Sequence, residues 1–262
     1  MKNIVLVGNG AWGKNYVSTI EHSFPTVNLT IADRSNWQSM IDTQPHGVIV
    51  ATPPESHVHI ASYALSKNIP TMIEKPLSLS AKEARELKSY TAPILVNHGQ
   101  LFTEGYQKLK KLCPVTAIAK IVTMGYSEGP ERSYSSLWDY APHDLAMILD
   151  IMGKMPNQIE TKLMYDNMYH IGMKFDNASS STIVGSGGME KMRNISIEYD
   201  GLDLSYDDLS RPSTHIPPLQ NAIRVFVDSI DGKLDSRLGI HLSLQVLEIL
   251  ELCDQSLAKQ KA

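Results

Sequence analysis

Cysteine is scarce in this 262-residue sequence, with only Cys113 and Cys253, far apart in the chain. Two distant cysteines make no disulfide framework, and reduced thiols in a cytoplasmic protein are expected. Long apolar runs are missing: no stretch approaches the ~18 consecutive apolar residues of a membrane helix. The opening run Ile4-Val5-Leu6-Val7 breaks at Gly8, too short and without the small-residue cleavage site of a signal peptide. A basic excess is also absent. The 24 Lys and Arg stand against 28 Asp and Glu, a net charge of −4 that argues against binding a phosphate backbone. Neither nucleic acid nor a membrane is expected as a partner. With 16 Gly and 14 Pro the chain is no fibrous protein, and its 42% hydrophobic content excludes disorder. What remains is a globular chain able to bury a sizeable core.

Two textures divide it. Up to about Cys113, apolar runs rich in Val and Ile (4–7, 29–32, 47–51, 70–73 and 94–96) alternate with helical stretches at 12–22, 56–67, 80–90 and 104–112. The runs lack polar alternation, as strands buried on both faces do, so a parallel sheet with helices on each side is expected. Ser80 followed by Glu83 reads as a capping box. Beyond Cys113, strands at 115–126, 158–165, 170–175, 180–185, 193–199 and 202–206 are expected, several alternating polar and apolar residues. That period suits an open, mainly antiparallel sheet with one packed face. Helices are expected at 143–152, ended by Gly153, and at 218–230 and 238–257. The domains expected are therefore 1–113, an α/β unit, and 114–262, an α+β unit.

Gly8-Asn9-Gly10-Ala11-Trp12-Gly13 fits G-x-G-x-x-G between the first strand and the first helix. The first glycine permits the tight turn, the second lets backbone approach a pyrophosphate, and the third allows close packing of helix on strand. Helix N-terminal N–H groups then face the negative charge. Asp33 ends the second strand, twenty positions past Gly13. A carboxylate there accepts hydrogen bonds from ribose hydroxyls and repels a 2′-phosphate, which favours NAD. Arg34 beside it leaves NADP open. This is the fingerprint of a doubly wound Rossmann domain.

Two further stretches, Val48-Ile49-Val50-Ala51-Thr52-Pro53-Pro54-Glu55-Ser56-His57 and Glu74-Lys75-Pro76-Leu77, resemble the Gfo/Idh/MocA oxidoreductases. The likeness continues in Asp139-Tyr140-Ala141-Pro142-His143-Asp144 and in the stretch from Pro218 to Gly232, so it covers nearly the whole chain. The resemblance implies a Rossmann domain followed by an open sheet domain that forms the substrate pocket and often an oligomer interface. It implies that Ala51, Thr52, Pro53, His57, Glu74 and Lys75 line the nicotinamide side of the cofactor, with Asn97 a further candidate for that wall. It assigns proton handling to Lys75 and His143, with Asp139 behind the histidine. Oxidation of a ring hydroxyl of a sugar, sugar derivative or nucleotide sugar is the implied reaction, in either direction.

The chemistry agrees with those residue types. Hydride transfer from a secondary alcohol leaves an oxygen that must lose its proton, which calls for a base and is helped by a nearby cation. Which of Lys75 and His143 takes the proton stays open. Asp139 has a second reading, as N-cap of the helix through His143, with Pro142 in its first turn. Asp144 and Arg132 are the remaining substrate-side candidates, and a solvated loop arginine or a first-turn aspartate are the plain alternatives. The histidines are scattered with no H-E-x-x-H or Cys/His cluster, so no metal is expected. Two other functions fit the same fold: a dinucleotide-binding sensor without turnover, and a lyase or hydrolase that uses bound NAD transiently.

Overall fold

Five of the apolar runs become the strands of a parallel sheet in a computed structural model, which describes residues 1–127, 132–186, 192–207 and 218–261. They are β1 (Lys2–Val7), β2 (Val27–Ala32), β3 (Gly47–Val50), β4 (Thr71–Ile73) and β5 (Ile94–Val96). All neighbours pair in parallel in the order β2-β1-β3-β4-β5. Residues of β1, β3 and β4 are buried on both faces, which is why their sequences show no alternation. The connections are α1 (Ala11–Ser23), α2 (Trp37–Asp42), α3 (His57–Ser66) and α4 (Ala81–Arg85), the last continued by a 3-10 turn over Glu86–Ser89. The helix α2 was not legible in the sequence.

The Ser80–Glu83 box is only half made. Ser80 Oγ accepts the Glu83 N–H, but the Glu83 carboxylate accepts from the Ser78 hydroxyl, and Ser78 Oγ takes the Ser80 N–H. A third side chain thus stands between the two expected partners.

After α5 (Glu104–Leu112) come β6 (Ile118–Ser127), α6 (Ser136–Met152), β7 (Gln158–Tyr165), β8 (Met168–Lys174), β9 (Ser179–Ser186), β10 (Met192–Tyr199) and β11 (Leu202–Asp207). These strands form a second sheet in the order β11-β10-β6-β9-β8-β7. Its neighbours are antiparallel except β6 and β9, which run parallel. The helix α6 packs against β6, β8 and β9. The chain closes with α7 (Pro218–Ile230) and α8 (Ile240–Lys261).

The chain divides into two compact units, Met1–Gly99 with Ile216–Leu244, and Gln100–His215 with Gln245–Ala262. This differs from the expected boundary after Cys113. The helix α5 has the same amphipathic period as its predecessors but packs against β11 of the second unit, and α7 returns to pack against α1 of the first. Period identifies an element, whereas the core that receives it depends on tertiary packing.

Candidate active site

In the first unit the direction of winding reverses between β1 and β3, and open parallel sheets bind ligands beyond the carboxyl ends of their strands at such a point. A cleft of about 750 Å³ lies there. Its walls include Gly8, Asn9, Gly10, Asp33, Arg34, Ala51, Thr52 and Pro53.

The three glycines differ in the room around them. Gly8 has φ +108°, and a Cβ there would meet the Ala51 carbonyl oxygen at 2.6 Å. A Cβ on Gly13 would stand 2.1 Å from the Gly8 carbonyl oxygen, so α1 and the loop touch backbone to backbone. Over Gly10 nothing lies within 4 Å of an added Cβ. This is the open room that a pyrophosphate needs. Gly10 caps α1 without a side-chain bond, and the first turn holds no acidic residue. The N-terminal N–H groups and the positive end of the helix are left for an anion. Ala11 and Trp12 begin that turn, both exposed.

Asp33 is exposed at the end of β2 and fixed by its own turn. Its Oδ1 accepts the Ser35 N–H at 2.8 Å and the Ser35 hydroxyl at 2.7 Å, which holds the carboxyl below its ordinary range. Both bonds fall on Oδ1. Arg34 lines the same cleft. The sequence reading missed Trp37, which meets His59 edge-on at 5.5 Å and Tyr63 at 5.2 Å. Trp37, His59 and Ile60 add an apolar and aromatic wall. The signal was available in the aromatic residue four positions past Asp33.

His57, Glu74 and Asn97 are buried and are not among the residues lining the cleft. The His57 ring is buried, its Nδ1 lying 2.9 Å from the Pro76 carbonyl oxygen and its Nε2 2.7 Å from that of Thr52. It therefore ties the Thr-Pro-Pro turn to the Glu-Lys-Pro segment, and burial lowers its pKa. Glu74, at the end of β4, is also buried. Its Oε1 accepts from the Tyr16 hydroxyl at 2.6 Å and from the Asn97 amide at 2.6 Å, and its Oε2 accepts the Lys75 N–H at 3.2 Å. The Asn97 amide also reaches the Tyr16 oxygen at 2.9 Å. Burial pushes the Glu74 carboxyl up, and the Tyr16 and Asn97 donors oppose it. Tyr16 was not read from the sequence, although Gly13, Tyr16 and Ile20 make the buried stripe of α1.

Lys75 is half-buried and begins a cis peptide to Pro76. Its charge, after burial, holds the buried His98 down at about 4. His98 Nε2 lies 2.9 Å from Ser243 Oγ.

In the second unit α6 starts seven residues before the expected helix. Its cap is remote in sequence: the Asn167 side chain accepts the Ser136 N–H at 2.8 Å. Asp139 therefore is not the N-cap, and Pro142 sits inside the helix rather than in its first turn. Asp139 and His143 are one turn apart and share a face. The exposed Arg132 approaches Asp139 Oδ2 with its Nε at 3.4 Å.

Asp144 is not a substrate residue. It is fully buried and accepts from Arg193 Nη1 at 2.9 Å. Desolvation pushes its carboxyl up, and Arg193 opposes the shift. Gly125 makes the room, since a Cβ there would lie 3.1 Å from Asp144 Oδ2. The sequence carried this signal: Arg193 shares the inward register of β10 with Ile195 and Ile197. Among the described residues no group of His, Cys, Asp and Glu is arranged to hold a metal.

The fold and cleft define a dinucleotide-binding Rossmann protein with an added sheet unit. Residues 26–93 match the family described as Gfo/Idh/MocA, "Oxidoreductase family, NAD-binding Rossmann fold". The fold is that of UDP-N-acetylglucosamine 3-dehydrogenase from Acidithiobacillus ferrooxidans, at TM-score 0.84 and 15% identity over 98% of each chain. Myo-inositol 2-dehydrogenase from Lactobacillus plantarum is similar at TM-score 0.86 and 16% identity, over 99% of this chain and 98% of that one. Scyllo-inositol dehydrogenase from Lactobacillus casei, solved with NAD(H) and scyllo-inositol, aligns at TM-score 0.83 and 14% identity, again over 99% and 98%. No curated protein matches the sequence. Residues 26–93 thus match the Gfo/Idh/MocA family, and over its length the chain shares the fold of these dehydrogenases.

Proposed function

We propose that the protein is an NAD-dependent dehydrogenase acting on a ring hydroxyl of a sugar, sugar derivative or nucleotide sugar. The observation that carries this reading is the cleft at the β1/β3 switch point, with open space over Gly10, an uncapped helix terminus and an ionised Asp33. Bound there, NAD would supply the hydride acceptor. The solved relatives named as dehydrogenases of inositols and of a UDP-sugar support the substrate class.

The residues of the chain divide the remaining tasks. Gly8, Gly10 and Gly13 with the first turn of α1 would hold the pyrophosphate, and Asp33 the adenosine ribose. Its fixed negative charge disfavours a 2′-phosphate, so NAD is preferred over NADP. Lys75 supplies a cation to the oxygen that loses its proton, and His143 a ring nitrogen able to take and return one. Asp139, one turn before His143, orients it. A reducing compartment suits the two free, buried thiols, and a homo-oligomer would cover an open sheet face, which light scattering tests.

The test is formation of reduced nicotinamide from NAD across a panel of sugars, inositols and nucleotide sugars. Turnover with one group, abolished in His143→Ala and Lys75→Met while NAD still binds, is the expected result. Silence across the panel with NAD binding intact would remove the dehydrogenase reading.

A further inference from the structure

The buried polar cluster of Tyr16, Glu74 and Asn97 is more than packing requires. Tyr16 comes from α1, Glu74 from the end of β4 and Asn97 from the end of β5, and all three are buried. Desolvating a carboxylate is costly unless donors surround it. Here each bond to Glu74 is donated to it: two to Oε1, and the Lys75 N–H to Oε2. Asn97 Oδ1 is left buried with no hydrogen-bond partner among the described residues. A core selected for stability alone would fill this place with apolar side chains.

We propose that Tyr16 and Asn97 are positioning residues for Lys75, acting through Glu74. They hold the carboxylate fixed and favour its ionised form against the burial that disfavours it. It in turn holds the Lys75 N–H and sets its negative charge one residue from the Lys75 amine. The inference rests on the proton-handling role of Lys75 proposed above. The groups facing this centre are Tyr16 from α1, Asn97 and His98 from the end of β5, His57 from α3 through the Pro76 carbonyl, and Lys75 itself. Of these, Tyr16 and Asn97 are the side chains that donate to the carboxylate.

Removing one donor destabilises the ionised form, so Glu74 protonates at higher pH. In Tyr16→Phe the acid limb of kcat, measured with the sugar or inositol that the panel identifies, should move up by about one pH unit. The kcat should fall about tenfold, the size of one lost hydrogen bond to a charged group. KM and NAD affinity should stay near wild type, because Tyr16 is not among the residues lining the cleft. Glu74→Gln should abolish that limb.

A second readout needs no substrate. Reductive methylation with ¹³C-formaldehyde gives Lys75 an NMR resonance, assigned by its loss in Lys75→Met. Tyr16→Phe should move its chemical shift. An unmoved Lys75 resonance, or an unchanged pH profile in Tyr16→Phe or Glu74→Gln, would overturn the proposal. So would a kcat loss accompanied only by weaker NAD binding and a lower Tm, the mark of a merely structural cluster. Full turnover in Lys75→Met instead sinks the reading of Lys75 on which this one rests, so the two failures are told apart.

Discussion

Asp144 and Arg193 show how a single buried charge constrains its surroundings. Arg193 lies on the inward register of β10, Asp144 on α6 answers it, and Gly125 on β6 gives both room. Taking either partner away strands the other in a desolvated place. Asp144→Ala is expected to lower stability by about 3–5 kcal/mol, measured by urea unfolding. The double replacement Asp144→Leu with Arg193→Met should cost less than the single one, because two apolar side chains leave no buried charge behind. A single variant as stable as wild type would show that the pair does not hold α6 to the sheet. Sequence inspection offered Asp144 as a substrate contact or a plain first-turn aspartate and did not reach Arg193, because that partner is 49 residues away and on another element. Asp33 was legible for the opposite reason. Its place in the cleft is set by a loop, a strand and a turn that follow one another along the chain.

The glycine loop and α1 separate folding from binding at the level of one element. Adding a methyl group at Gly13 drives it into the Gly8 carbonyl, so loop or helix must shift. Adding one at Gly10 meets nothing within 4 Å among the described residues, and its φ of −74° suits any residue. Gly10→Ala should therefore unfold at the wild-type temperature, within about 2 °C, the shift expected for a surface-sized change. It should nevertheless bind NAD at least about tenfold more weakly, since the new methyl group occupies the pyrophosphate's place. Gly13→Ala should lose both stability and binding. Calorimetric titration with NAD and a thermal melt check both variants, and equal NAD affinity in Gly10→Ala would refute the placement of the pyrophosphate. The same contrast explains what was legible among the elements. Strands and the first helix followed local period and glycine spacing. The start of α6 did not, because Pro142 suggested a first turn while the true cap, Asn167, lies 31 residues on between β7 and β8.

Across the whole chain, the first unit is completed by a segment that arrives only after most of the second. One of the ties is His98, at the end of β5, bonded to Ser243 on α8. A local pattern could not reveal this, since period shows that a helix is amphipathic but not which core it enters. The tie has a pH signature. His98 is fully buried, and desolvation first, then the charge of Lys75, lowers its pKa from 6.5 to about 4. Between these values the unfolded chain binds a proton that the folded one refuses, so stability is full above about 6.5 and is lost as pH falls towards 4. The loss from this group is on the order of 3 kcal/mol. His57, also lowered by burial, adds in the same direction, whereas the raised Glu74 works against both. Comparison of variants isolates His98. The replacement His98→Gln places an amide near Nε2, able to keep the bond to Ser243, and does not titrate. Urea midpoints from pH 7 to pH 4 should fall more steeply in the wild type than in His98→Gln. Parallel pH dependences in the two proteins would mean that His98 binds its proton equally well in the folded and the unfolded chain.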